Sequence, residues 1–149
     1  MAPFCITAVI SSHGAGAIED HRSRRAVHTN VLVRLLARDT PAQVAAAEAF
    51  VAPGAWVSHL VLAEAMWVLA AVYERTPSAL ALAVDMLLNH QHLTVQDGEV
   101  VGAALEHFRR RPSVGFSDCL ILEVTRKAGH LPLGTFDRGL ARLPGAQRL

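Results

Sequence analysis

The sequence predicts one α/β domain in which a small parallel sheet is covered by helices on both of its faces. After residue 25, short apolar runs of strand type alternate with longer segments of helical period. Such alternation favours parallel strands that are joined by helical crossovers. With 149 residues and a hydrophobic fraction of 52%, the chain can bury one core. Because no internal repeat or linker interrupts the pattern, we expect a single folded domain.

The amino-terminal segment differs from the remainder of the chain. We expect residues 1–25 to form a poorly ordered extension and residues 26–149 to form the domain. The apolar run 3–10 has no basic residue before it, which disfavours a secretory signal. Cys5 and Cys119 are the only cysteines, a number more typical of a reducing compartment than of a disulfide scaffold. No apolar run reaches the length of a membrane span, so we expect a cytoplasmic protein.

Helix starts recur along the domain. Apolar residues at helical spacing follow Ser, Thr or Asp in the cap position, and in two cases Pro takes the first turn. These signals predict helices at 41–51 after Thr40, 60–73 after Ser58, 78–89 after Thr76, 98–111 after Asp97, and from Ser117 and Asp118 to Gly129. A further helix, at 31–38, is predicted from apolar spacing alone.

Short apolar runs between these helices predict the strands. The runs lie at 55–57, 93–95 and 131–135. The first strand is weaker, because mostly charged residues at 22–25 leave only Ala26 and Val27 before the next helix. Either this strand is very short, or residues 4–10 supply it from a distance.

Three acids stand near the ends of separate elements. Glu64 is the only acid of a strongly apolar helix, Asp118 lies at a helix start and Asp137 follows a strand. Acids that converge repel one another unless a hard cation such as Mg²⁺ or Mn²⁺ lies between them. A cation held in this way can activate water against a phosphodiester. Asp118 is also explained as a helix cap and Asp137 as a turn residue, in which case the acids point apart.

The segments around these acids resemble PIN-domain ribonucleases of the VapC toxin type, from type II toxin–antitoxin systems. The resemblance is carried by segments 28–34, 62–64, 116–121 and 135–138, whose order and spacing span roughly four-fifths of the chain. It implies a three-layer α/β/α sandwich with a small parallel sheet. It also implies cleavage of single-stranded RNA by metal-activated water, with Mg²⁺ or Mn²⁺ as cofactor.

The resemblance assigns roles to particular residues. Glu64, Asp118 and Asp137 would be the catalytic and metal-binding acids, while Asn30 and Thr135 would support the site. It further implies a homodimer and a protein antitoxin that blocks the site. The alternative is a catalytically inactive PIN fold that acts as an antitoxin- or RNA-binding module.

One position departs from the family pattern. The first segment of the family reads Asp-Thr-Asn, whereas this chain has His28-Thr29-Asn30. Histidine offers a neutral nitrogen in place of an anionic oxygen, which suits Mn²⁺ or Zn²⁺ better than Mg²⁺. We therefore expect Mg²⁺-dependent activity to be weakened or absent unless His28 binds a softer metal.

Substrate contacts are less clearly marked. The net charge of +1 means that RNA binding needs a local basic patch, and Arg109, Arg110 and Arg111 are the candidates. These arginines are equally explained as cations that complement the carboxyl end of a helix. We expect Trp56 and Trp67 to pack in the core or an interface, because base stacking needs exposed aromatic faces.

Overall fold

The structure is a computed structural model that describes residues 25–149. Within this range six helices alternate with four short strands, and 3-10 turns lie at Pro112–Val114 and Leu140–Arg142. The helices are α1 (Thr29–Ala37), α2 (Pro41–Val51), α3 (His59–Ala71), α4 (Pro77–Leu88), α5 (Gly98–Arg110) and α6 (Phe116–Ala128). The strands are β1 (Ala55–Val57), β2 (Leu93–Val95), β3 (Leu133–Thr135) and β4 (Ala146–Arg148).

All strand pairs among these residues are parallel. β1 pairs with β2, with Trp56 opposite Thr94, and β3 pairs with β4. Ala26 adds a single parallel bridge to Trp56, as the very short form of the first strand predicts. Residues 4–10, the alternative source, lie outside the described residues. The predicted α/β class with small parallel sheets is confirmed, while β4 was not predicted.

The core lies between the helices and the sheets. Leu32 of α1, Val57 of β1, Leu62 of α3 and Leu122 of α6 have no exposed surface. Each such side chain contributes about 1.5–3 kcal/mol through burial. Helix α3 packs against both α1 and α6. The helix that carries Glu64 is therefore held between the elements that carry the other candidate residues.

The predicted caps have mixed outcomes. Ser58 and Thr76 each accept a hydrogen bond from the backbone N–H three residues later, at 3.1 and 3.2 Å. Thr40 occupies the cap position of α2 but makes no side-chain cap bond. The prediction for Asp97 is wrong in its detail, because this residue has a left-handed φ of 43° and its carboxylate pairs with Lys127 at 3.5 Å instead.

Helix α6 begins before the predicted start. Its cap is Gly115, whose φ of +90° is a conformation that glycine adopts without strain. Asp118 therefore lies inside the first turn, and its interpretation as a helix cap is wrong. Gly129 ends the helix in the left-handed conformation, as predicted. In the part of the chain that the structure describes, no helix is long and apolar enough to cross a membrane.

Candidate metal-binding site

Glu64 lies on the exposed side of α3, one turn beyond the start of the helix. The hydroxyl of buried Thr29 donates a hydrogen bond to its Oε1. Glu64 takes part in no ion pair among residues 25–149. Its carboxylate keeps access to water, so a neutral hydroxyl is a sufficient partner. The contact holds Glu64 against the amino-terminal end of α1.

His28 occupies the cap position of α1. Its Nδ1 accepts a hydrogen bond from the backbone N–H of Asn30 at 3.4 Å. A ring nitrogen that accepts carries no proton, so the imidazole serves here as an acceptor in the way that an Asp or Asn cap does. His28 thus caps α1 without the negative charge that the Asp of the family pattern would bring. His28 itself is exposed beside the end of α1 that Glu64 meets.

Asp118 and Asp137 form the second part of the candidate site. Asp118 is half-buried in the first turn of α6, and Asp137 follows β3. Burial raises the pKa of the Asp118 carboxyl, and the negative charge of Asp137 raises it further. The two acids, 19 positions apart in sequence, therefore lie close enough to repel one another, which is the situation that a divalent cation relieves.

The turn after β3 fixes Asp137. Its backbone N–H donates to Oγ1 of Thr135 at 3.0 Å, and its own Oδ1 accepts from the N–H of Leu140 at 2.7 Å. A Cβ at Gly139 would lie 3.3 Å from the same oxygen, so the absence of a side chain there leaves room for the carboxylate. Asp137 is thus a turn residue, as one interpretation of the sequence had it. Its Oδ1 is engaged by the N–H of Leu140, which leaves Oδ2 for a ligand.

The donor set determines which cation fits. Carboxylate oxygens suit Mg²⁺ and Mn²⁺, and Mg²⁺ is commonly held by one or two protein carboxylates with water and substrate phosphate as its other ligands. Asp118 and Asp137 fit that pattern. No group of three or more His, Cys, Asp or Glu side chains among residues 25–149 is close enough together to hold a metal ion. Ligation by Glu64 or His28 therefore stays a prediction.

Cys119 contributes no ligand to this site. Its side chain is completely buried on α6, next in sequence to Asp118. Burial, with added effects of the Asp118 and Glu123 carboxylates, raises the pKa of the thiol to about 11. A thiol of this kind stays protonated near neutral pH and is neither a nucleophile nor a thiolate ligand.

The predicted RNA contacts lie on the carboxyl end of α5. Arg109 and Arg110 approach the carboxylate of Glu106 at 3.7 and 3.9 Å, whereas Arg111 pairs with no acid among residues 25–149. The first two arginines therefore fit the interpretation as solvated helix-end cations. Arg111, which caps the helix, remains the most available of the three for phosphate.

Two residues near the site have features that the sequence interpretation missed. Thr29 was passed over although it stands in the segment that carries the family resemblance, and its hydroxyl proves to be the partner of Glu64. Trp67 was expected in the core or an interface, yet 64% of its surface is exposed in the chain. Trp67 lies one turn after Glu64 on α3, so the helical period alone places it beside that acid.

The chain belongs to the PIN domain family, because the family model matches residues 26–146 of the 149-residue chain. The match spans Glu64, Asp118 and Asp137. Membership of this family indicates a nuclease, and PIN domains are typically metal-dependent. No curated protein and no solved structure gives a significant match to the chain.

Proposed function

We propose that this PIN domain is a VapC-type toxin, a metal-dependent endoribonuclease that hydrolyses phosphodiester bonds of single-stranded RNA. The observation that carries the proposal is the approach of Asp118 and Asp137, because burial raises the pKa of Asp118 and the negative charge of Asp137 raises it further. Acids that only cap helices have no reason to approach one another at a free-energy cost. A pair that repels in the apo protein is arranged for a cation.

The residues of the chain have distinct roles in this proposal. The Thr29 hydroxyl orients Glu64, and the turn after β3 engages one oxygen of Asp137 with the N–H of Leu140. Asp118 and Asp137 would hold Mg²⁺ or Mn²⁺, with Glu64 as the third catalytic acid. When bound, the metal would lower the pKa of its water and neutralise charge on a phosphoryl oxygen. Asn30, whose N–H is engaged by His28, would order the first loop.

Two kinds of protein partner belong to the proposal. An antitoxin is supported by an apolar groove of about 580 Å³ between α1, α2 and α4. Leu82 and Met86, which line it, are 57% and 56% exposed and offer apolar surface that a partner could cover. A homodimer is supported by Ile121 and Val124, which expose apolar surface on α6. We place this assembly in the cytoplasm, where its RNA substrate is found.

A second function is favoured by one observation, the capping role of His28. A histidine that only caps α1 leaves the site with one negative charge fewer than the family pattern, which weakens its attraction for a divalent cation. On this alternative the domain is a catalytically inactive PIN fold that binds an antitoxin or RNA. The retention of Glu64, Asp118 and Asp137 favours the enzyme.

Metal binding is the decisive test. Thermal unfolding of the full chain is followed while Mn²⁺ or Mg²⁺ is added, in parallel with cleavage of a labelled single-stranded RNA. At a hundred times the dissociation constant, a cation raises the unfolding temperature by about 5–10 °C. An Asp118→Asn variant should show neither the rise nor cleavage. Absence of both effects in the wild-type protein would leave the inactive PIN fold as the function.

A further inference from the structure

A cleft opens beside the candidate acids, between the exposed face of α3, the start of α4 and the segment that joins α5 to α6. Its volume is about 370 Å³, near the lower end of the range of roughly 300–1,000 Å³ for small-molecule sites. Buried side chains of Met66, Leu80, Phe108 and Phe116 form its floor. Phe108 and Phe116 meet edge to face, with ring centroids 6.0 Å apart.

The cleft shares its walls with the candidate site. Ala63 and Trp67, which line it, flank Glu64 on α3, and Gly115 to Ser117 line it directly before Asp118. A Cβ at Gly115 would lie 3.8 Å from Oδ2 of Asp118. A molecule in the cleft would therefore be next to the acids that are proposed to act on a phosphodiester.

Trp67 is a large, exposed aromatic side chain that lines this cleft. Its ring is 64% exposed although it is among the largest apolar surfaces of the chain. A flat aromatic face at the mouth of an aromatic-floored cleft suits a nucleobase, because every base offers a π-face for stacking. Trp67 lies on α3 one turn from Glu64, so a base stacked on it would lie beside this acid.

The charge of the cleft also suits RNA. Arg75 lines it and, among the ion pairs of residues 25–149, takes part in none. Arg109 lines a neighbouring hollow that shares Pro77, Phe108 and Pro112 with the cleft. A cation without an acidic partner next to an apolar surface is available to a phosphate. An apolar segment of protein would gain nothing from this charge.

We propose that the cleft holds an unpaired base of single-stranded RNA stacked on Trp67, with Arg75 contacting an adjoining phosphate. The inference rests on the proposed function and adds the subsite next to the reacting bond. It requires the substrate to be single-stranded, because a base inside a duplex has no free face to offer.

The test measures binding apart from cleavage. A short fluorescein-labelled oligouridylate is titrated with the full chain in EDTA, so that no metal-dependent hydrolysis occurs. Trp67→Ala should weaken binding roughly 5- to 150-fold, and Trp67→Phe should recover part of the loss. Leu60→Ala is the matched control, since Leu60 is 84% exposed on the same helix but does not line the cleft. Its affinity should equal that of the wild type.

Arg75 is tested by the salt dependence of the same titration. Arg75→Ala should lower the slope of log affinity against log salt by about 0.7, the value of one phosphate contact on a single strand. Arg142→Ala removes an exposed arginine that does not line the cleft and should leave the slope unchanged. In a Trp56→Phe protein, where Trp67 is the only tryptophan, RNA should quench the emission and protect it from acrylamide.

The outcomes separate this inference from the proposed function. If the wild type cleaves and binds RNA while the Trp67 and Arg75 variants bind equally well, the cleft proposal is overturned and the nuclease stands. If Trp67→Ala converts a dimer into a monomer on size-exclusion chromatography, the cleft is a contact between copies and the proposal is overturned. A wild type that neither binds nor cleaves RNA overturns both.

Discussion

On one side of the candidate site, Glu64 accepts a hydrogen bond from the Thr29 hydroxyl, and His28 caps the adjoining helix α1 with a ring nitrogen. On the other side, burial raises the pKa of Asp118, and the negative charge of Asp137 raises it further. The first side is satisfied by neutral partners within the chain. The second side keeps an unfavourable interaction between two carboxylates, which a bound cation would relieve. The departure from the family motif therefore falls on the satisfied side and leaves the strained pair intact.

The largest effect on RNA cleavage is expected from the pair Asp118 and Asp137. Asp118→Asn removes a carboxylate of the proposed metal pair and should lower metal-dependent RNA cleavage by at least about 100-fold. In EDTA the same change should raise the unfolding temperature, because the repulsion with Asp137 disappears. Cleavage is followed on labelled single-stranded RNA and unfolding by circular dichroism. The control is Asp85→Asn on α4, which should leave both measurements unchanged.

A combined result decides the interpretation of that pair. Loss of cleavage together with a gain of metal-free stability identifies a functional pair whose free-energy cost the fold tolerates. Loss of both would show instead that Asp118 stabilises the fold, contrary to the proposed role.

The next largest effect on cleavage is expected from His28, on the side of the site whose groups have partners within the chain. His28→Asp restores the negative charge of the family motif and should raise Mg²⁺-dependent cleavage about 10- to 100-fold. His28→Asn is the matched control, because Asn caps a helix as well as Asp does but adds no charge. The control should retain the stability of α1 and the low activity. Equal Mg²⁺-dependent rates for His28→Asp and the wild type would contradict the prediction that His28 weakens the site.

The sequence predicted those parts of the fold that depend on local signals. Ser58, Thr76 and Gly129 act at the helix ends as their residue types indicate. The prediction that Asp97 caps a helix with its side chain was wrong, because its carboxylate pairs with Lys127 at 3.5 Å instead. β4 escaped prediction because Ala146–Arg148 carries no apolar alternation and is a strand only through its pairing with β3.

For the candidate site, the sequence proposes residues but not the contacts that they make. Order and spacing of the acidic segments pointed to Glu64, Asp118 and Asp137. That Thr29 meets Glu64, or that Trp67 stays exposed beside it, follows from how α1, α3 and α6 pack. Such packing depends on distant parts of the chain, which no local pattern contains.

A smaller effect, on stability, should follow from the loss of the hydrogen bond between Thr29 and Glu64. Thr29→Val keeps the shape of the buried side chain and removes the hydroxyl that donates to Glu64. The free energy of unfolding should fall by about 1 kcal/mol, less than the roughly 1.5–3 kcal/mol of hydrogen bonds to charged groups, because Glu64 is exposed. Thr94→Val is the control, since Thr94 is exposed on β2 and its side chain makes no hydrogen bond within residues 25–149. Denaturant unfolding that shows equal losses in both variants would contradict a specific role for Thr29.

The smallest effect concerns the pH dependence of stability, because the pKa values of Asp118 and Asp39 are shifted in opposite directions. The Tyr73 hydroxyl, together with Arg34, lowers the pKa of Asp39 below its ordinary value of 3.8, whereas burial and Asp137 raise the pKa of Asp118 above it. Stability from Asp39 is present above pH 3.8 and is lost as the pH falls through its lowered pKa. Stability from Asp118 is present below pH 3.8 and is lost as the pH rises through its raised pKa.

Carboxyl carbon NMR titration in EDTA measures both midpoints directly, and each responds to its own variant. Tyr73→Phe should move the Asp39 midpoint up towards the ordinary value, because the hydrogen bond from the tyrosine hydroxyl is the largest cause of the lowered pKa. Asp137→Asn should move the Asp118 midpoint down by removing the charge, although burial keeps it above the ordinary value. An Asp118 midpoint that does not respond to Asp137→Asn would mean that the two carboxylates do not interact. The candidate site would then lack the repulsion that a cation is proposed to relieve.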